Sequence, residues 1–138
     1  MTSSKTGTAK YTRLIVIFAI CAVLATAVML LPKGFSDDLS KIGQGSVVVV
    51  LIHNKNSVES LEVMELLNKV RSDYTGKIEF LAVDIDTNEG QTFVQRQGIS
   101  NGRTVLVFFG LDGTRKGVLG GRISEKALRS ELEGNLSH

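Results

Sequence analysis

The apolar positions of this chain follow two different regimes. Residues 14–31, Leu-Ile-Val-Ile-Phe-Ala-Ile-Cys-Ala-Val-Leu-Ala-Thr-Ala-Val-Met-Leu-Leu, hold no charge, glycine or proline across eighteen positions. A helix of that length covers about 27 Å, close to the thickness of a hydrocarbon core, and satisfies its own backbone hydrogen bonds. The run predicts a transmembrane helix.

Beyond residue 45 the apolar runs become short and punctuated. Residues 46–52, Ser-Val-Val-Val-Val-Leu-Ile, predict a strand buried on both faces. Residues 57–74 carry Val63, Leu67, Val70 and Tyr74 near one helical stripe, and Gly76 stops the helix. Either Asn56 or Ser57 serves as its N-cap, with Asn56 and Glu59 in a loosened capping-box spacing. A second strand follows at 77–83, and a short helix at 88–97 closes on Gly98. Residues 104–109 form a third strand, and Leu111-Asp112-Gly113 turns the chain into a fourth around 116–119. Ser124 caps a last helix at 125–136, with Ala127, Leu128 and Leu132 facing inward.

The resulting order, β-α-β-α-β-β-α, defines an α/β class. A strand-helix-strand crossover followed by a hairpin and a closing helix requires a mixed sheet flanked by helices. The expected plan is a cytoplasmic tail at 1–13, the transmembrane helix at 14–31, a linker or short amphipathic lead-in at 32–45, and a domain at 46–138.

Charge sharpens this plan. Lys5, Lys10 and Arg13 precede the apolar run without any acid, whereas all fourteen carboxylates follow it. The positive-inside tendency puts the N-terminus in the cytoplasm and the C-terminal domain on the exoplasmic side, the periplasm in a bacterium. From residue 33 onward the cations are scattered among acids, so no nucleic-acid footprint is present. A cleaved signal peptide is the rival reading. However, the run exceeds a usual signal core, and its one small-x-small triplet, Ala25-Thr26-Ala27, lies inside it. Ala22, Ala25 and Thr26 are candidates for a close helix-packing face within the membrane, against ordinary lipid-facing filler.

The single cysteine, Cys21, lies in the apolar run. The C-terminal domain therefore has no internal disulfide, dithiol couple or cysteine metal cluster. Ile20 before Cys21 and the apolar residues after it disfavour a lipidated cysteine.

Several fragments, in order, resemble the thioredoxin family. Val83-Asp84-Ile85-Asp86-Thr87-Asn88-Glu89-Gly90, leading to Gln97-Gly98-Ile99, is similar to the family's "vDxDxn…ygI" passage. Phe108-Phe109-Gly110-Leu111-Asp112-Gly113 resembles its "lfkdG" hairpin, and Gly120-Gly121 before a serine-capped helix resembles its ending. The likeness covers roughly residues 45–136 and implies a thioredoxin-like mixed sheet. It also implies a site at the start of the long helix, where the family has W-C-G-P-C. Here those positions read Asn56-Ser57-Val58-Glu59-Ser60, with serine at both cysteine places. An unactivated hydroxyl cannot supply the thiolate for disulfide exchange. Arg103 stands where the family has its cis-proline, which implies a trans bond there. Leu51 stands near the family's buried acid. Laboratory replacement would explain the two serines but not Asn56, Val58, Glu59 and Arg103 together.

Other groupings of residues suggest chemistry that the spacing does not complete. Asp84, Asp86 and Asn88 begin a calcium-loop spacing, but Glu89 and Gln95 hold the places needing Gly and Glu. Asp86, Thr87 and Asn88 suit capping instead. His53 with Ser57 or Ser60 suggests a hydrolase, yet there is neither a nucleophile elbow nor an evident orienting acid. Two histidines and no soluble cysteine leave no zinc cluster, and the terminal His138 is expected to be mobile. Asn101-Gly102-Arg103 forms a turn from which Arg103 engages an acid or carbonyl of a partner, or is simply solvated. Asn135-Leu136-Ser137 matches a glycosylation sequon, relevant only in a eukaryotic secretory pathway.

The expectation is a noncatalytic, membrane-anchored accessory subunit or assembly factor of a membrane protein complex, without cofactor or metal. Residues 14–31 would contact the bilayer. His53, Asn56, Ser57, Val58, Glu59, Ser60 and Arg103 would form the contact surface. A thiol-disulfide component using partner cysteines, or a chaperone or peptide-binding module, are the alternatives.

Overall fold

The computed structural model describes residues 3–30, 34–100 and 103–137, with side chains of the first helix described from Lys10 to Thr26. The chain divides into two compact units, Met1–Lys33 and Gly34–His138.

The described residues of the first unit form one helix, α1 (Ser3–Leu30). Its described side chains are exposed on every face, including Ile15, Phe18 and Leu24. Thr26 returns its hydroxyl to the Ala22 carbonyl at 2.8 Å, so this polar group is satisfied within the helix. Among the described residues, no helix is long and apolar enough to cross a membrane. The last part of the expected span, Ala27 to Leu31, lies outside the described side chains. The span is therefore not shown, although its residues as far as Leu30 are helical.

In the second unit, β1 (Val47–His53) pairs in parallel with β2 (Ile78–Asp84), across a crossover containing α2 (Val58–Val70). β3 (Val105–Phe109) runs antiparallel to β1, and β4 (Arg115–Gly120) antiparallel to β3, giving the sheet order β2-β1-β3-β4. α3 (Asn88–Gln97) follows β2 and α4 (Glu125–Leu136) follows β4.

The β-branched run of β1 is central because both its faces are covered. Val47, Val49 and Leu51 pack with Val63, Leu67 and Val70 of α2 and with Leu128 and Leu132 of α4. Val48, Val50 and Ile52 pack with Phe93 and Val94 of α3. Alternation along a strand sends successive side chains to opposite faces, so an unbroken apolar run feeds two cores at once. Leu51 is fully buried in the first core. Toward its end the long helix tightens, and residues Arg71–Tyr74 form a 3-10 turn rather than a continuation of α2.

Residues 34–45, expected as a linker or lead-in, lie against the second unit. Ser36 forms a parallel bridge to Leu81 and accepts a hydrogen bond from the Ala82 amide at 2.9 Å. Phe35 packs on one core and Leu39 and Ile42 on the other. Asp38 caps a 3-10 turn, Leu39–Lys41, by accepting from the Ser40 amide. The segment has too few apolar residues for a periodic signal, and only the sheet edge beside it gives those few a place to bury.

Candidate functional site

The junction between β1 and α2 is built by local hydrogen bonding. Asn54 accepts the Asn56 amide on its side chain at 2.9 Å and the Ser57 amide on its carbonyl at 3.0 Å, which reverses the chain after the strand. Ser57 is the N-cap of α2, its Oγ accepting from the Ser60 amide at 3.4 Å. Asn56 shapes the preceding turn, so of the two expected caps it is Ser57 that serves. Val58 follows, 71% exposed, and Glu59 is half-buried.

Ser60 turns inward. It is 2% exposed, its Oγ accepts the Asn54 amide at 3.0 Å, and it shares a hydrogen bond of 2.7 Å with Thr104 Oγ1. Thr104 is itself buried, at the entry to β3. The two serines therefore differ in kind. Ser57 holds a helix end, and Ser60 ties that end to the loop before β3. Among the described residues no buried side-chain polar atom lacks a partner.

His53, at the end of β1, belongs to a different neighbourhood. Parallel register sets it beside Asp84 at the end of β2. The Asp84 carboxylate accepts the Asp86 amide at 2.9 Å and pairs with Lys55 Nζ at 3.0 Å. Burial holds the His53 imidazole below its ordinary pKa; the Asp84 charge opposes this shift and Lys55 adds to it. Asp84 is held below the usual carboxylate range chiefly by the Asp86 amide, with burial opposing and Lys55 and His53 assisting. These groups line a cleft of about 410 Å³ whose apolar walls include Phe35 and Met64.

The candidate residues are thus only partly brought together. Asn56, Ser57, Val58, Glu59 and Ser60 form one continuous turn and helix start, and Thr104 joins them. His53 faces the cleft, and among the described residues no hydrogen bond links it to either serine. Arg103 is exposed beside Thr104, whereas Asn101 and Gly102, and so the peptide bond before Arg103, lie outside the described residues. Leu31 at the end of the expected span and the terminal His138 also lie outside them.

The hydrolase arrangement loses its geometry, since one serine is engaged in capping and the other is sealed from solvent. The calcium spacing is likewise used otherwise. Thr87, not an acid, caps α3 by accepting from the Gly90 amide at 3.0 Å. Gly90 is required by proximity, because a Cβ there would stand 2.0 Å from the Asp84 carbonyl oxygen. Among the described residues, no group of three or more His, Cys, Asp or Glu side chains is placed to hold a metal.

Sequence reading missed Thr104 as the partner of Ser60, and it missed the cleft. Neither has a local signal. Ser60 and Thr104 are 44 residues apart, and His53 meets Asp84 only through the register of the sheet.

Strand order, crossover and helix placement define a thioredoxin-like fold. The oxidized form of thioredoxin O2 from Arabidopsis thaliana superposes with a TM-score of 0.58 at 17% identity, over 69% of this chain and 83% of that one. A thioredoxin-like protein from Clostridium perfringens superposes with a TM-score of 0.64 at 13% identity, over 73% of this chain and 79% of that one. At such identities the likeness carries the fold alone. No protein-family model and no curated protein matches the chain.

Proposed function

We propose that this chain is a noncatalytic, membrane-anchored thioredoxin-like protein, acting as an accessory subunit or assembly factor of a membrane protein complex. The observation that carries the reading is the Ser60 network. At the place the resemblance gives to a redox cysteine, a buried hydroxyl is bonded to Asn54 and Thr104. That arrangement provides structure and no electrons. The only thiol, Cys21, belongs to the other unit.

In this reading α1 is the anchor. The uncharged run from Leu14, the helical backbone through Leu30 and the cations before the run support a signal-anchor with a cytoplasmic N-terminus. Ala22, Ala25 and Thr26 would face a neighbouring helix, and the domain would stand on the exoplasmic side, in the periplasm of a bacterial host. The turn from His53 to Ser60, with exposed Val58 and Arg103, is the surface offered to the partner.

Purification of the tagged full chain in mild detergent tests this. Co-purification of a membrane complex at fixed stoichiometry is the expected result. A lone monomer, or insulin-reducing or ester-hydrolysing turnover abolished by Ser57→Ala, would overturn it.

A further inference from the structure

We infer that the outer edge of β4 is a docking site for an extended segment of a partner protein, which joins the sheet as a further strand and carries acidic side chains on the α3 side. The inference goes beyond the function proposed above and does not depend on it.

The two edges of the sheet are finished differently. On β2 the edge is covered at the Ser36 bridge, where the Ala82 amide donates to the Ser36 carbonyl. β4 ends the sheet on the other side. Among the described residues, its backbone from Arg115 to Gly120 has no hydrogen-bond partner beyond the β3 ladder. Exposed edges are ordinarily guarded by charge, proline or a bulge. Here the guards stand in the first half only, where Arg115 and Lys116 lie at the register shift opposite Phe108 and Phe109. Residues 117–120, Gly-Val-Leu-Gly, keep regular pairing with residues 105–108 and carry no charge, proline or bulge. Val118 is 48% exposed. Such an edge offers backbone groups to an incoming strand and an apolar contact beside them.

Charge selects the occupant. Directly opposed residues share a face, so Arg115 and Val118, opposite Phe109 and Val107, lie on the α3 side. The Arg115 guanidinium donates to the Gln97 carbonyl at the end of α3, next to Arg96. Among the described residues neither arginine has an ion-pair partner. The acids of this side are placed otherwise. Asp112 accepts the Thr114 amide and lies with the Lys116 side chain over Gly110, and Glu89 stands about two helical turns before Arg96. On the α4 side the sign reverses, since the Glu131 carboxylate lies over Gly117. A strand seated here gains from carboxylates on its α3 face and from apolar side chains beside Leu119 on the other. A second copy of the chain answers neither arginine, because residues 115–122 hold three cations and no acid.

Peptide titration tests this. The full chain, isotope-labelled on its amides and held in neutral-detergent micelles at low ionic strength, is titrated with acetyl-Glu-Val-Glu-Val-Glu-amide. Saturable amide shifts centred on residues 115–120 are expected in the millimolar range, with slowed hydrogen exchange there. The lysine counterpart, acetyl-Lys-Val-Lys-Val-Lys-amide, should bind about tenfold more weakly or not at all. Arg96→Gln combined with Arg115→Gln should weaken the acidic peptide by about tenfold. Two further acidic peptides, N-methylated at the valines or at the glutamates, separate strand addition from charge attraction, because only one set of N–H groups can face β4. One of the two should lose binding and the other keep it. Absence of saturable shifts, shifts centred elsewhere, equal binding of the lysine peptide, indifference to the double arginine variant or equal binding of both N-methylated peptides would each overturn the proposal. So would shifts at residues 117–120 on raising the protein concentration without peptide, which would assign the edge to a second copy.

Discussion

Ser60 and His53 show how position decides what a polar side chain does. Removing the Ser60 hydroxyl leaves the half-buried Asn54 amide and the buried Thr104 Oγ1 short of a partner. Ser60→Ala is expected to destabilise the domain by about 1–3 kcal/mol in a urea titration. Ser57→Ala, losing a half-buried cap, is expected to cost about 1 kcal/mol. A reversed ranking would count against the Ser60 network as the brace of this turn. For His53, burial lowers the folded-state pKa below the unfolded value, so the folded form binds fewer protons across the interval between them. Stability is then fully present above the ordinary imidazole pKa, near 6.5, and declines as pH falls through the folded value. Asp84, also lowered, adds a separate loss further down, below the ordinary carboxylate range. His53→Gln should flatten the first decline and leave most of the second, in which the lowered Asp38, Asp112 and Glu125 share, and thermal unfolding between pH 8 and about pH 2 would resolve the two. At this scale the sequence singled out Ser57, Ser60 and Arg103 as residues worth placing. It did not reveal that Ser60 is buried and Ser57 is not, because that depends on the direction in which α2 enters the sheet.

At the scale of elements, local rules were largely sufficient. Helices α3 and α4 occupy the spans 88–97 and 125–136 that their caps and periodicity predict. Gly98 ends α3 in the left-handed region at φ 64°, donating its N–H to the Gln95 and Val94 carbonyls. Thr87 and Ser124 cap through the first free amides of their helices, an interaction confined to three residues. Gly90 is another matter. It follows a cap and resembles an ordinary helix residue, yet it sits where α3 starts against the end of β2. Gly90→Ala brings a methyl group to the Asp84 carbonyl and must push the helix off the strand. A loss of about 1–3 kcal/mol is expected, with the largest amide shifts at Asp84 and in the first turn of α3. A neutral outcome would mean that the helix start is free to move. The 34–45 segment illustrates the converse limit. Its attachment includes three apolar side chains, one bridge, the Lys41–Glu79 ion pair and the Gly45 amide donating to the Leu111 carbonyl, contacts too scattered to register as a pattern along the chain.

For the whole molecule, the division into two compact units has a direct consequence. A chain beginning at Gly34 should retain the cooperative unfolding of the domain, because the Phe35, Leu39 and Ile42 contacts and the Ser36 bridge remain. A chain beginning at Ser46 loses all of them, uncovers the edge of β2 and should unfold at markedly lower urea concentration. Equal midpoints for the two would show that residues 34–45 contribute nothing. The sequence by itself determined the element types, most of their ends and the absence of a thiol in the second unit. These depend on composition and on interactions within a helical turn or along one strand. Tertiary structure decided that Ser60 meets Thr104, that His53 faces Asp84 and Lys55 rather than the serines, and that residues 34–45 belong to the domain. Each of these contacts joins distant parts of the chain across a crossover or a sheet edge. The parallel register that aligns His53 with Asp84 is a property of two strands together, written in neither alone. Ser57 and Ser60 therefore look alike in the sequence, and only the packing around them shows that one caps a helix and the other ties that helix to Thr104.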